Sequence, residues 1–147
     1  MGQLLDSRAL KERKALKRYE VLLVDDSPDI LRVFGWALED RGYRVTKAAG
    51  GAEAIDRLSA QRFDLMISDL MMYPIDGIAV LKEAKARNPE IKVIIFTAHN
   101  DLLATINARP LGADDYLSKQ SGLSEILGRI SDCLKRPAGK RCVARVG

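Results

Sequence analysis

Four apolar runs in this 147-residue chain end in side chains that carry charge or a hydroxyl. Val21-Leu22-Leu23-Val24 runs into Asp25 and Asp26, and Leu65-Met66-Ile67-Ser68 runs into Asp69. Val93-Ile94-Ile95-Phe96 runs into Thr97, and Tyr116-Leu117-Ser118 into Lys119. If these runs are neighbouring parallel strands, three carboxylates, a hydroxyl and an ammonium meet at one edge of a sheet. That is the edge at which open α/β sheets bind ligands. Crowded carboxylates repel one another unless a cation or a proton sits among them. The set suits a divalent metal ion together with a phosphoryl group.

The elements that would position these residues alternate in type from Glu20 onward. The run 20–25 is nearly all apolar, as expected of a strand buried on both faces. Ser27-Pro28 opens a helix, the serine as cap and the proline in the first turn. Ile30, Val33, Phe34, Ala37 and Leu38 give that helix its apolar face, and Arg41-Gly42 ends it. Strands are expected at 43–48, 64–69, 91–97 and 115–118, and helices at 51–60, 77–87, 101–109 and 123–135. Helix–strand alternation with short connections predicts a parallel sheet covered on both faces. Residues 3–18 carry helix formers, with Leu5, Ala9 and Leu16 loosely on one face, but a lone helix of that length is marginal in water. The expected division is a basic helical extension over 1–18, one domain over 19–135 and a flexible basic tail over 136–147.

Composition narrows the function classes. Apolar residues make up 47% of the chain, enough for an ordinary core. No apolar stretch approaches the roughly 18 residues of a membrane span, and the N-terminus lacks a signal-peptide core. Cys133 and Cys142 have neither metal spacing nor a disulfide framework, so a cytoplasmic setting is expected. The net charge of +4 belongs to the ends. Residues 1–20 and 135–147 together carry about +8, which leaves the centre near −4. No aromatic residue or recognition helix accompanies the C-terminal charges, so nucleic-acid binding is not expected.

The segments VLLVDDSPDI, ISDLMMYPIDG, IIFTAHN and GADDYLSK occur in one order and at a spacing that resembles the receiver domain of two-component response regulators, over about residues 19–135. The resemblance implies a flavodoxin-like α/β fold, a five-stranded parallel sheet of order 2-1-3-4-5 with helices on both faces. It implies that Asp69 is the phosphoacceptor, taking a phosphoryl group from a phosphohistidine on a histidine kinase or phosphotransfer protein. Asp26 matches a direct Mg²⁺ ligand, Asp25 one that usually acts through water, and the Met71 backbone carbonyl a neutral ligand of the same ion. Thr97 matches the hydroxyl and Lys119 the ammonium that hold the phosphoryl group, and Tyr116 matches the aromatic switch that turns inward behind Thr97.

The chain departs from the family pattern in places. Tyr73 stands where the family usually has proline, and Pro74 follows one position later, although the spacing to Asp76-Gly77 is kept. Gln120 stands where the family has a proline joined by a cis bond to the lysine. A cis bond to a non-proline residue costs about 3 kcal/mol, so either Lys119–Gln120 is trans and Lys119 is re-aimed, or the fold holds the bond cis. Pro110 falls at the end of the 101–109 helix. Gly35 lies mid-helix, where it costs about 1 kcal/mol relative to alanine. Trp36, the only tryptophan, sits beside the apolar face of its helix, which helps dock the kinase in receivers. His99, the lone histidine, reads as a solvated loop residue.

The expected function is that of a single-domain response regulator, with Mg²⁺ as cofactor and no catalysis beyond its own phosphorylation and dephosphorylation. The expected output surface is the 101–109 helix, the 115–118 strand and the last helix, offered to an unidentified downstream protein or to a second copy. The dozen residues after 135 are too few for a DNA-binding domain. The alternative is a receiver-fold interaction module that works without phosphorylation. An aspartyl phosphatase commonly has a second aspartate two residues after the first, a place taken here by Met71.

Overall fold

The computed structural model describes residues 18–98 and 111–137. Strand β1 (Glu20–Val24) leads to helix α1 (Pro28–Asp40), strand β2 (Arg44–Ala48) to α2 (Gly51–Ala60), and β3 (Leu65–Ser68) to α3 (Gly77–Arg87). Strand β4 (Lys92–Thr97), strand β5 (Asp115–Ser118) and helix α4 (Leu123–Lys135) complete the described elements. The helix expected at 101–109, the N-terminal helix, His99 and Pro110 lie outside the described residues.

All four strand pairings are parallel, in the order β2-β1-β3-β4-β5. This is the flavodoxin-like order that the sequence predicts, and strand boundaries differ from expectation by one residue at most. The central strands have no polar face because the sheet is covered twice. On one face Leu22, Val24, Met66, Val93 and Ile95 pack with Ala54 and Leu58 of α2 and Val80, Leu81 and Ala84 of α3. On the other, Val21, Leu23, Ile67, Ile94, Phe96 and Leu117 pack with Leu38 of α1 and Ile126, Leu127 and Ile130 of α4. Alternate residues along each strand therefore serve opposite cores, as a period of two requires.

Local chemistry explains the helix ends. Ser27 Oγ accepts a hydrogen bond from the Ile30 amide and Asp76 Oδ1 one from the Ala79 amide, each satisfying a donor with no intrahelical partner. Gly42 follows α1 at φ +95°, the left-handed turn that glycine adopts without a Cβ clash. A Cβ on Gly35 would stand 2.5 Å from Lys47 Cε, the end of a flexible exposed side chain that can move aside, so the packing of α1 on β2 does not require glycine there. Val33 does not join the apolar face of α1 as expected; it is 50% exposed. Ile30, Phe34, Ala37 and Leu38 centre that face, and Val33 lies one step of about 100° away from Phe34, on its rim.

Two outcomes follow from the packing around α4. Ile130 is 1% exposed and distant in sequence from the charged strand ends. Ile130→Ala should destabilise the domain by about 2–5 kcal/mol, read as a lower urea midpoint; an unchanged midpoint would contradict the packing. Burial pushes the Cys133 thiol up to about 12, with the nearby Asp114 carboxylate adding to the shift. The thiolate is the reactive form, so peptide mapping after iodoacetamide at pH 8 should find Cys133 unmodified in the native protein and modified in urea.

Candidate functional site

The strand order reverses between β1 and β3, and the candidate site lies at the carboxyl ends of those two strands, where such folds form a crevice. Val24 pairs with Ser68. The ladder continues beyond the strands: the Asp25 amide donates to the Ala48 carbonyl at 3.1 Å and the Asp69 amide to the Val24 carbonyl at 3.2 Å. Asp25 and Asp69 are thus fixed side by side by backbone bonds. One carboxylate oxygen from each of Asp25, Asp26 and Asp69 lies within 4.8 Å of the other two. Asp25 and Asp69 are buried and Asp26 is exposed, so the cluster has one side open to solvent.

Each buried carboxylate is aimed by a backbone donor two residues on. The Ser27 amide donates to Asp25 Oδ1 at 2.9 Å, and the Met71 amide to Asp69 Oδ1 at 3.2 Å. The remaining oxygens face Lys119. Its Nζ donates to Asp69 Oδ2 at 2.9 Å and stands 2.6 Å from Asp25 Oδ2 as an ion contact. Burial raises the pKa of Asp25, against the lowering effects of Lys119 and of the Ser27 amide. Burial works to lower that of Lys119, but its bonds to Asp25 and Asp69 outweigh burial and the net direction is upward. The ammonium is therefore held charged by the pair it bridges.

The Lys119–Gln120 bond is trans; among the described residues the cis bond is Tyr73–Pro74. Lys119 nevertheless reaches the carboxylates. Its amide donates to the Thr97 carbonyl at 2.8 Å, one step past the paired ends Thr97 and Ser118, which fixes its Cα at the crevice. Thr97 itself is buried at the end of β4. Tyr116 is half-buried and packs against the cluster that contains Ile95 and Ala113. The Met71 and Tyr73 side chains are 67% and 92% exposed, whereas Leu70 and Met72 are buried, so the loop after Asp69 alternates its contacts.

Three supporting features were not read from the sequence. A Cβ on Gly77 would stand 2.1 Å from the Asp69 carbonyl oxygen, so the start of α3 presses directly beneath Asp69. A Cβ on Gly51 would stand 2.6 Å from Ile75 Cβ, so α2 braces the same loop. The third is the treatment of Asp114 and Asp115. Asp114 Oδ2 accepts from Lys85 Nζ at 3.1 Å and from the Val93 amide at 2.8 Å, while Asp115 pairs with the Arg129 guanidinium. These bonds tie β5 to α3, β4 and α4 and so place the strand that carries Lys119. Two adjacent aspartates in GADDYLSK are the signal for them, legible only once the neighbouring helices are placed.

Residues 21–131 match the family described as the response regulator receiver domain. The chain is 38% identical over 115 residues to the DNA-binding transcriptional regulator NtrC of Escherichia coli K12, a match covering 78% of this chain and 24% of that protein. It is 39% identical over 116 residues to response regulator SaeR of Staphylococcus aureus USA300, covering 79% of this chain and 50% of that one. The chain thus spans between about a quarter and a half of the length of such relatives. The structure superposes with a TM-score of 0.74 and 28% identity on the receiver domain of sensor histidine kinase PA1611 from Pseudomonas aeruginosa PAO1, covering 82% of this chain and 100% of that one. That domain holds a magnesium ion in its active-site cleft. The fold, the crevice at the β1–β3 crossover and these matches agree: the chain belongs to the response regulator receiver domain family.

Proposed function

We propose that Asp69 accepts a phosphoryl group from a phosphohistidine on a histidine kinase or phosphotransfer protein, and that the domain over residues 19–135 then signals through protein contacts. The observation that carries this reading is the convergence of Asp25, Asp26 and Asp69 within 4.8 Å, with Lys119 closing one side. A plain core has no use for buried carboxylates crowded in this way.

The residues fit a divalent cation. The donor set is all hard oxygen, which Mg²⁺ prefers, and Lys119 is the one cation in contact with the buried carboxylates of this three-carboxylate cluster. Asp25, Asp26, Asp69 and the Met71 carbonyl would hold the ion, with water filling the rest of its shell. When bound, it cancels the repulsion between the Asp69 carboxylate and the phosphoryl oxygens. An Asp69 oxygen forms its bond to phosphorus as the phosphorus–nitrogen bond of the donor breaks, leaving its electron pair on the imidazole. Phosphoryl transfer needs mostly positioning and charge stabilisation, so few further groups are required. Lys119, already at Asp69, moves its charge onto the phosphoryl group, a task for which a point charge suffices. The Thr97 hydroxyl donates to another phosphoryl oxygen, and its inward shift leaves room for the half-buried Tyr116 ring. A local gain of charge then biases a two-state element. No described helix is long and apolar enough to cross a membrane. A homodimer or a downstream protein is the proposed reader of the surface around β5 and α4.

A reading in which the fold acts without phosphorylation draws on the motif departures together, with partners reading the fixed fold or the N-terminal helix. At one of those departures, Gln120, the bond is trans and Lys119 still stands on Asp69, which favours the phosphoacceptor reading.

Incubation with acetyl phosphate and Mg²⁺ should add about 80 Da, one phosphoryl group, to the parent and nothing to Asp69→Ala, by intact mass. Equal addition to both would place the acceptor elsewhere. Gly77→Ala should push the Asp69 backbone out of position and weaken Mg²⁺ binding by about tenfold, roughly 1.4 kcal/mol, in a calorimetric titration; unchanged binding would show that the loop tolerates the methyl group. Met71 flanks the acceptor with an apolar, exposed side chain. Met71→Asn should hasten loss of the acyl phosphate several-fold by helping water reach it, and an unchanged half-life would remove that role.

A further inference from the structure

At the end of the sheet opposite Asp69, a cavity of about 380 Å³ opens beside the first residues of β3 and β4. Five residues of parallel strand separate the two edges, about 16 Å. Its lining brings together three cations, Arg62, Lys92 and Arg136. Lys92 is 7% exposed, an unusual fate for a lysine. Its Nζ donates to the Arg136 carbonyl at 3.0 Å and the Pro137 carbonyl at 3.1 Å, which uses two of three donors and supplies no negative charge. Arg136 Nη1 is buried with no hydrogen-bond partner. Among the described residues, no carboxylate forms an ion pair with Lys92 or Arg136.

Burial of a charge without a counter-charge is expensive. A lysine can escape by losing its proton, but an arginine cannot. Two carboxylates, Asp64 and Glu90, share the lining, so the three cations exceed them by one. Asp64 Oδ2 accepts from the Glu20 amide at 2.8 Å, and Glu90 is exposed. Asn88 Oδ1 accepts from Arg62 and from the Glu90 amide, and Arg136 is half-buried with its Nη1 enclosed. Among the described residues, a guanidinium nitrogen has no acceptor and an ammonium is met only by carbonyl dipoles on the wall of one cavity, which leaves room there for added negative charge.

The geometry points to a second ligand site here, for one compact oxyanion, a carboxylate or phosphate group, held between Lys92 and Arg136 with Arg62 at the mouth. The site is separate from the phosphoacceptor crevice and uses none of its residues. Its occupation would tie the end of α4 to the starts of β3 and β4, and so would stiffen the helix beside the proposed signalling surface. Guanidinium and carboxylate or phosphate oxygens match in a planar fork, which favours these two anions over chloride.

The full chain, free of Mg²⁺, should be titrated with sodium phosphate and, separately, sodium citrate at constant ionic strength set with sodium chloride, following backbone amide resonances. Saturable shifts at residues 62–64, 88–92 and 134–136 are expected in at least one series, weakened at least tenfold in Arg136→Gln. The series that saturates at lower concentration identifies the preferred anion class. Lys92→Met should weaken binding likewise; if that variant does not fold, Arg136→Gln alone decides, since Arg136 lies beyond the last helix. Shifts confined to the Asp69 crevice, absence of saturation in both series, or equal binding by Arg136→Gln would each overturn the proposal.

Discussion

Mutual repulsion among Asp25, Asp26 and Asp69 is the constraint on which the rest of the molecule depends. Two unit charges 4–5 Å apart repel by roughly 3–4 kcal/mol at an effective dielectric of about 20. Two of the three carboxylates are also buried, which adds a desolvation cost. The protein offsets this with one ammonium, from Lys119, and with the Ser27 and Met71 amides. One cation cannot neutralise three anions. That excess suits a divalent ion, and in the proposed reaction such an ion would offset the repulsion between Asp69 and an anionic phosphoryl group.

Holding such a cluster demands rigidity, and the fold supplies it from both faces of the sheet. Asp25 and Asp69 each follow a strand whose residues are almost all buried, Lys119 follows one buried at alternate residues, and each of the three is fixed by a backbone bond one step beyond its strand. The loop after Asp69 is pressed from below by Gly77 and from the side by Gly51. Lys119 is placed less directly, through β5, whose first residue is anchored by Arg129 and whose preceding residue is anchored by Lys85. By contrast, Tyr116 is only half-buried. That looser packing suits the proposed inward turn of Tyr116 behind Thr97.

Much of this was legible in the sequence because the physics is local. Strands buried on both faces appear as unbroken apolar runs, and their ends coincide with the chemical groups; Asp25, Asp69 and Lys119 meet where those runs predict. The helix over 51–60 and the one over 123–135 have the boundaries that their periodicity gives. Val33 was misplaced because a helix stripe has a rim that periodicity cannot resolve. The consequence of Gln120 was left open because a peptide isomer depends on tertiary context, and it was the bond from the Lys119 amide to Thr97 that kept the lysine in place. Pairs such as Lys85 with Asp114 join residues 29 apart in sequence. No spacing rule reveals them, nor the cations gathered around Lys92 at the far edge.

The central claim concerns competition between Lys119 and a divalent ion for the same carboxylates, and Mg²⁺ affinity tests it most directly. Calorimetric titration should give one site in the parent protein, tighter binding in Lys119→Met, where the resident cation is gone, and binding lost in Asp25→Asn. Weaker binding in Lys119→Met, or undiminished binding in Asp25→Asn, would contradict the account.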